Sequence, residues 1–381
     1  VTPHIKLKKL GNDGELSVSK SLLTFQFDEQ EFLECYWQRH PLLIKGALPN
    51  WQSPLSPEEL GGLALEDDAD SRLISKSKNG WALKQGPLIP TDFQRSDDWT
   101  LLVNGVDSWV PEVASLKQCL RFLPQWRFDD IMVSYAVTEG GVGPHFDRYD
   151  VFLVQGTGRR KWRLGEWCDD DTPRIKHEDL NLLQNFETSQ EYVLEAGDVL
   201  YVPPGMAHWG IAETPCMTYS LGFRAPAIAA LLARWTDKTL EGLDPELLLE
   251  DRASVTKPPR PGEITSAHWD NAREAIQNSM AALDDGTWLG ELVTEHGECA
   301  PPPHEHARAL CLHTGARLAW QAIDDQCCVY ANGEMLRVPM ASQTVLERLC
   351  SDETLTPEEL ASVHPELLSF LSMSGALVSL D

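Results

Sequence analysis

From about residue 79 to residue 224 the sequence is a succession of short β-prone runs broken by turn signals, and that texture restricts the possible folds more than any other feature. Asn79-Gly80, Gly86-Pro87 and Asn104-Gly105 punctuate its first part. The clearest strands are 131–135, 151–154, 160–164 and 199–202. Many short strands with frequent turns predict a double-sheet jelly roll. Ahead of it, Phe32, Tyr36 and Trp37 followed by Pro41-Leu42-Leu43-Ile44-Lys45-Gly46 predict a helix running into a short buried strand. Residues 54–72 read as an acidic helix.

After Phe223-Arg224 the texture changes. Residues 225–240, rich in alanine and leucine, predict a helix, and 264–283 a second one beyond the proline-rich connector 257–262. The apolar positions of 225–235 fall on more than one face, which favours a partner contact. From about 287, helices mix with strands at 316–320 and 328–331. Asn332-Gly333 is a turn pair that can fold the latter into a hairpin with 334–338. Thr356 caps a helix whose first residue is Pro357. Helices flanking a hairpin predict a winged-helix arrangement. The fold class is therefore α+β, with a jelly-roll domain over 1–224, a helical dimerisation segment over 225–286 and a winged-helix-like acidic domain over 287–381.

The net charge of −26 argues against phosphate-backbone binding as the main activity and for attraction of a basic partner. The winged helix, carrying many acids and few bases, reads as a docking or dimer module with no direct DNA binding. No apolar run is long enough to cross a bilayer. The stretch 1–6 lacks the pattern of a secretory signal, and the nine cysteines include no Cys-x-x-Cys pair. A cytoplasmic protein with reduced thiols is the expectation.

The chemistry is concentrated in two segments. His145 and Asp147 lie two residues apart in Gly143-Pro144-His145-Phe146-Asp147, so they share one face if the segment is a strand edge. His208 follows Gly197-Asp198, a predicted strand and the rigid turn Val202-Pro203-Pro204-Gly205. Two imidazoles and one carboxylate can occupy one face of an octahedral iron and leave three positions open. A three-ligand zinc hydrolase is the competing chemistry. In Arg159-Arg160-Lys161-Trp162-Arg163-Leu164, period two puts Arg160 on the face of Trp162 and Leu164, pointing inward. A buried guanidinium needs an anion, and a bidentate carboxylate suits its fork. That favours iron with a dicarboxylate cosubstrate over zinc; a structural ion pair is the bland alternative. Ser134, on the preceding strand, could donate a further hydrogen bond. Asp150 reads as a solvated loop carboxylate. His296, Cys299, His304 and His306 could mimic a zinc site, but Pro301-Pro302-Pro303 splits them and their spacing suits a polar loop better. Cys327 and Cys328 read as ordinary packing in a strand.

At these residues the chain resembles the JmjC-type 2-oxoglutarate oxygenases. The segment Pro144-His145-Phe146-Asp147-Arg148-Tyr149-Asp150-Val151-Phe152, with Gln155-Gly156-Thr157-Gly158-Arg159-Arg160-Lys161-Trp162, is most similar to the bacterial ribosomal oxygenases. The resemblance extends over the whole chain. It implies a double-stranded β-helix of cupin/JmjC type, Fe(II) held by His145, Asp147 and His208, and 2-oxoglutarate anchored through Arg160 with help from Ser134, with dioxygen as the second cosubstrate. It further implies a basic ribosomal-protein substrate, the large-subunit protein numbered sixteen, hydroxylated at the β-carbon of an arginine with release of succinate and carbon dioxide, and a homodimer. Phe146 departs from the residue expected between the ligands and is read as facing away from the metal. Within the superfamily, a histidyl hydroxylase or a side-chain demethylase is the alternative. Outside enzymes, the alternative is a cupin-type binding module or regulator without catalysis.

Overall fold

The structure, a computed structural model, describes residues 23–380 apart from 79, 178, 251–259, 284, 296–299, 304–306 and 352. The stretch 1–6, most of the 257–262 connector and the residues His296, Cys299, His304 and His306 lie outside the described residues. The chain divides into two compact units, Val1–Ala225 and Pro226–Asp381.

In the first unit the strands are β1 (Leu42–Ile44), β2 (Ser71–Ser77), β3 (Gly80–Gln85), β4 (Asp98–Val103), β5 (Phe128–Ala136), β6 (Asp150–Thr157), β7 (Arg160–Trp167), β8 (Gln190–Leu194), β9 (Val199–Val202), β10 (Met206–Ala212) and β11 (Cys216–Phe223). They form an eight-stranded sheet in the order β1-β9-β6-β11-β5-β4-β2-β3 and a three-stranded sheet in the order β10-β7-β8. The two sheets make the jelly roll predicted from the turn spacing. Strand β6 shows why its sequence is apolar at consecutive positions. Val151 and Leu153 pack between the sheets with Trp162, Leu164, Leu200 and Val202. Phe152 and Val154 face the other way, into a core with Phe32, Val133, Tyr201 and Tyr219. A strand covered on both faces has no polar alternation to display. A slip of one residue would exchange the two sets, so the register is strongly specified.

Residues 54–72 are not one helix. The helix is Pro57–Leu63, opened by a capping box between Ser56 and Glu59, and β2 begins at Ser71. Gly61 and Gly62 weaken helix propagation, and the acidic run after them forms turns. The first helix, Glu29–Cys35, is capped by Asp28 and leads into β1 as predicted.

The second unit holds helices Ile228–Gly242, Ser266–Leu283 and Trp288–Thr294. Its three-stranded sheet pairs Leu318–Ile323 with Gln326–Ala331 and the latter with Glu334–Pro339. Ala331 pairs with Glu334, and the residues between them, Asn332 and Gly333, have φ of 47° and 88°. That is the two-residue turn with both central residues left-handed, which Asn-Gly tolerates best. Thr356 and Glu359 form the capping box of the helix that starts at Pro357. Cys327 and Cys328 are both buried. Among the described residues, no helix is long and apolar enough to cross a membrane.

Candidate metal centre

The loop entering β6 and the start of β10 are tied together by main-chain hydrogen bonds. His145 N–H donates to the His208 carbonyl at 3.1 Å, His208 N–H donates to the His145 carbonyl at 2.8 Å, and Gly205 N–H donates to the Asp147 carbonyl at 2.7 Å. His145 and Asp147 therefore do not lie on a regular strand. A single antiparallel bridge between His145 and His208 does the work expected of the strand edge. Pro144 ahead and the turn before Asp150 prevent a longer ladder. The turn Val202-Pro203-Pro204-Gly205 places His208, and Gly205, at φ 80°, takes a conformation that favours glycine.

The side chains converge. One ligand atom from each of His145, Asp147 and His208 lies within 4.8 Å of the others. Asp147 Oδ2 is 3.5 Å from His208 Nε2 and 4.0 Å from His145 Nε2. His145 Nδ1 is 2.9 Å from the Gly143 carbonyl and His208 Nδ1 is 3.0 Å from the Met206 carbonyl. An imidazole that donates its Nδ1–H to a carbonyl keeps its Nε2 lone pair for a metal, and the bond fixes the ring plane. Burial pushes His208 down to about 4, and the neighbouring His145 adds to the shift. His208 is thus a neutral imidazole around pH 7, the form that ligates. The donor set of two imidazoles and a carboxylate suits ferrous iron with open positions.

These residues line a cavity of about 270 Å³, whose wall also includes Ser134, Arg160, Trp162, Thr218, Ser220 and Tyr149. Arg160 points inward, as Trp162 and Leu164 predicted, and is 2 % exposed. Its Nη1 donates to Ser134 Oγ at 3.2 Å and to Thr218 Oγ1 at 3.3 Å. Its guanidinium lies 4.9 Å from the Trp162 ring. Its Nε is buried without an acceptor, and among the described residues no carboxylate pairs with it. Burial pulls its pKa below the ordinary arginine value. The structural ion pair is therefore not the explanation of Arg160. A buried cation held only by neutral hydroxyls lacks its anion, and a carboxylate is the natural complement. By contrast Arg159, Lys161 and Arg163, on the other face of β7, pair with Glu195, Glu213 and Glu191.

Ser134 lies beside Arg160 and accepts from it. Thr218, cross-strand from Ser134, shares that task and was not foreseen; only the register of β5 and β11 reveals it. Gly210 was also missed. A Cβ there would lie 2.7 Å from Arg160 Nε and 2.8 Å from the Trp162 ring, so glycine at this strand position makes room for the guanidinium. Phe146 does not simply face away. It belongs to the cavity lining, with the Arg174 guanidinium 5.1 Å from its ring.

Asp150 is not a solvated loop carboxylate. It is fully buried, accepting from Arg127 Nη2 at 2.9 Å, Gln38 Nε2 at 2.9 Å and the Tyr201 hydroxyl at 2.5 Å. Burial raises its pKa against these lowering partners. The network fixes the chain three residues beyond Asp147. An acid at the start of an apolar strand, Tyr149-Asp150-Val151-Phe152, was the available signal.

The JmjC domain family matches residues 115–231 and the ROXA-like winged helix matches residues 272–378. The chain is 37% identical to the ribosomal protein uL16 3-hydroxylase of Escherichia coli (strain K12), over 92% of this chain and 95% of that one. It is 33% identical to a probable ribosomal oxygenase of Haemophilus influenzae, over 85% and 86% of the two chains. The solved structure of the Escherichia coli ribosomal oxygenase YcfD in complex with cobalt and 2-oxoglutarate matches with a TM-score of 0.77 at 34% identity, covering 93% of this chain and 99% of that one. A second structure of that protein holds cobalt and succinic acid, with the same TM-score.

Proposed function

The chain belongs to the JmjC-domain ribosomal oxygenases, and we propose that it is an Fe(II)- and 2-oxoglutarate-dependent oxygenase that hydroxylates the β-carbon of an arginine in the large-subunit ribosomal protein uL16. The observation that carries this reading is one cavity lined both by His145, Asp147 and His208 and by the uncompensated guanidinium of Arg160. When bound, ferrous iron with 2-oxoglutarate and dioxygen supplies the oxygen transfer, with succinate and carbon dioxide as co-products.

The chain's own residues do the positioning. His145, Asp147 and His208 would hold the metal through their imidazole and carboxylate atoms, the two rings being oriented by the Gly143 and Met206 carbonyls. Arg160 would take a carboxylate of the cosubstrate, for which its planar fork is suited, and Ser134 and Thr218 hold the guanidinium in place. Trp162, Leu153 and Val151 give that part of the cavity apolar walls and so strengthen the pair.

The net charge of −26 draws a basic ribosomal protein toward the enzyme and is consistent with work in the cytoplasm, where ribosomes are assembled. Helices Ile228–Gly242 and Ser266–Leu283 form the dimerisation segment within 225–286, between the catalytic domain 1–224 and the winged-helix domain 287–381. Ile228 at 78%, Trp269 at 61% and Ile276 at 61% exposure are apolar side chains that a second copy would cover.

The test is incubation of the purified chain with Fe(II), 2-oxoglutarate, dioxygen and uL16, followed by mass spectrometry of the digested product. The expected result is one added oxygen on an arginine. An oxygen on histidine, a lost methyl group, or no change in uL16 would refute the assignment.

A further inference from the structure

A second guanidinium faces the same cavity and has no role in holding the metal or the cosubstrate. Arg72, on β2, lies opposite Leu102 of β4; Leu102 lies opposite Ser134 of β5; and Ser134 lies opposite Thr218 of β11. Arg72 therefore belongs to the cross-strand row that carries the two hydroxyls bound to Arg160, and it lines the cavity with them. Leu102 separates it from Ser134. Two strand spacings are roughly 10 Å, so Arg72 addresses a different part of the cavity from those hydroxyls.

Arg72 lacks the partners that an arginine in a structural role would have. Its Nε is buried without an acceptor, and its Nη2 meets the Met132 sulfur, a weak acceptor, at 3.9 Å. Among the described residues no carboxylate lies within ion-pair distance of it. On the opposite face of the sheet, where Lys84 lies across from Leu73, the cations are paired: Lys84 with Asp92, and Arg95 with Asp97. The residues around Arg72 in the cavity wall, Ile74, Leu83, Met132 and Leu182, are apolar. A guanidinium is a donor only. Arg72 is half-buried, and leaving its buried Nε–H unmatched against such a wall is unfavourable; a ligand entering the cavity can supply the acceptor.

We infer that Arg72 is a specificity-determining residue that grips a main-chain carbonyl oxygen of the polypeptide substrate beside the residue being hydroxylated. This rests on the polypeptide-hydroxylase reading above. The cosubstrate's carboxylate already has Arg160. A basic partner, the kind attracted by a chain of net charge −26, offers few carboxylates but a carbonyl at every residue.

The test compares the wild type with Arg72→Met and with Arg72→Lys, each checked for an unchanged thermal transition, using uL16 as substrate. The Met variant removes a charge-assisted hydrogen bond, so its KM for uL16 rises about ten- to a hundred-fold, while its KM for 2-oxoglutarate does not move. The Lys variant, which keeps a donor and the charge, falls between the two. Binding of fluorescently labelled uL16, measured by anisotropy, follows the same order and needs no turnover. Equal uL16 affinity in wild type and the Met variant overturns the inference, as does a rise confined to the KM for 2-oxoglutarate. If the wild type itself adds no oxygen to uL16, the functional reading fails before the variants are compared; if it does and the variants match it, the Arg72 inference alone fails.

Discussion

Replacing Arg160 with methionine should raise the stability of the ligand-free protein or leave it unchanged, while removing productive cosubstrate binding. The two effects have opposite signs, and the structure sets their sizes. Without an anion, Arg160 has a buried Nε with no acceptor and two long hydrogen bonds to hydroxyls at 3.2 and 3.3 Å. Relief of the unmatched N–H contributes about 1–3 kcal/mol. Loss of the contact with the Trp162 ring at 4.9 Å removes about 0.5–2 kcal/mol. The net change spans about 1 kcal/mol against the variant to about 2.5 kcal/mol in its favour, centred on a small gain. Against this, a bidentate carboxylate pair loses two charge-assisted bonds of about 1.5–3 kcal/mol each, which weakens 2-oxoglutarate binding by at least about a hundred-fold. Urea unfolding of the metal-free proteins at pH 7 reads the first effect. The 2-oxoglutarate-induced thermal shift of the cobalt-loaded proteins reads the second. A variant destabilised by more than about 2 kcal/mol that still binds 2-oxoglutarate like the wild type would show that Arg160 is structural.

Gly210→Ala places a Cβ 2.7 Å from Arg160 Nε; we expect a stability loss of about 1–3 kcal/mol and a higher KM for 2-oxoglutarate, measured by unfolding and by succinate release. Asp147→Ala should abolish the thermal shift that Co(II) produces in the wild type, and a retained shift would place the metal elsewhere. Burial pushes Asp130 up to about 6 from its ordinary 3.8, opposed by a hydrogen bond from Gly105 N–H and reinforced by Asp129 and Asp107. A carboxyl whose pKa is raised by folding stabilises the fold below its unfolded value and loses that contribution as pH rises through the folded one. Asp130→Asn, which keeps an acceptor for Gly105, should therefore gain stability over the wild type as pH rises from about 4 to about 6, levelling off at about 2–3 kcal/mol. A gap that does not change with pH, followed by urea titrations across that window, would contradict the assignment. Trp269→Glu with Ile276→Glu should convert the proposed dimer to a monomer in sedimentation velocity, and a wild type that is itself monomeric would refute that proposal.

The jelly roll was legible because its strands are short and its turns carry their usual residues, and the Asn332-Gly333 hairpin because those two residues tolerate the left-handed backbone. The convergence of His145, Asp147 and His208 was legible for a different reason: His145 and Asp147 follow a glycine-rich loop, and His208 follows a rigid turn. The inward direction of Arg160 followed from its phase with Trp162 and Leu164. What could not be read depends on pairing between distant strands. Thr218 joins Ser134 only through the β5–β11 register, and Gly210 faces Arg160 only because β10 pairs with β7. Asp150 looked solvated because its partners lie far off along the chain, at Gln38, Arg127 and Tyr201. The helix over 54–72 was drawn too long because acidic residues suit turns as well as helices, and the two glycines near its end were given too little weight.

The central claim is that the His145, Asp147 and His208 site, served by a 2-oxoglutarate bound at Arg160, transfers oxygen to uL16. Turnover under isotopically labelled dioxygen in ordinary water tests it most directly. The account predicts one labelled oxygen on an arginine of uL16 and one in succinate, in equal amounts, with neither formed by Asp147→Ala. Oxygen in uL16 drawn from water, or product formed without dioxygen, would contradict it.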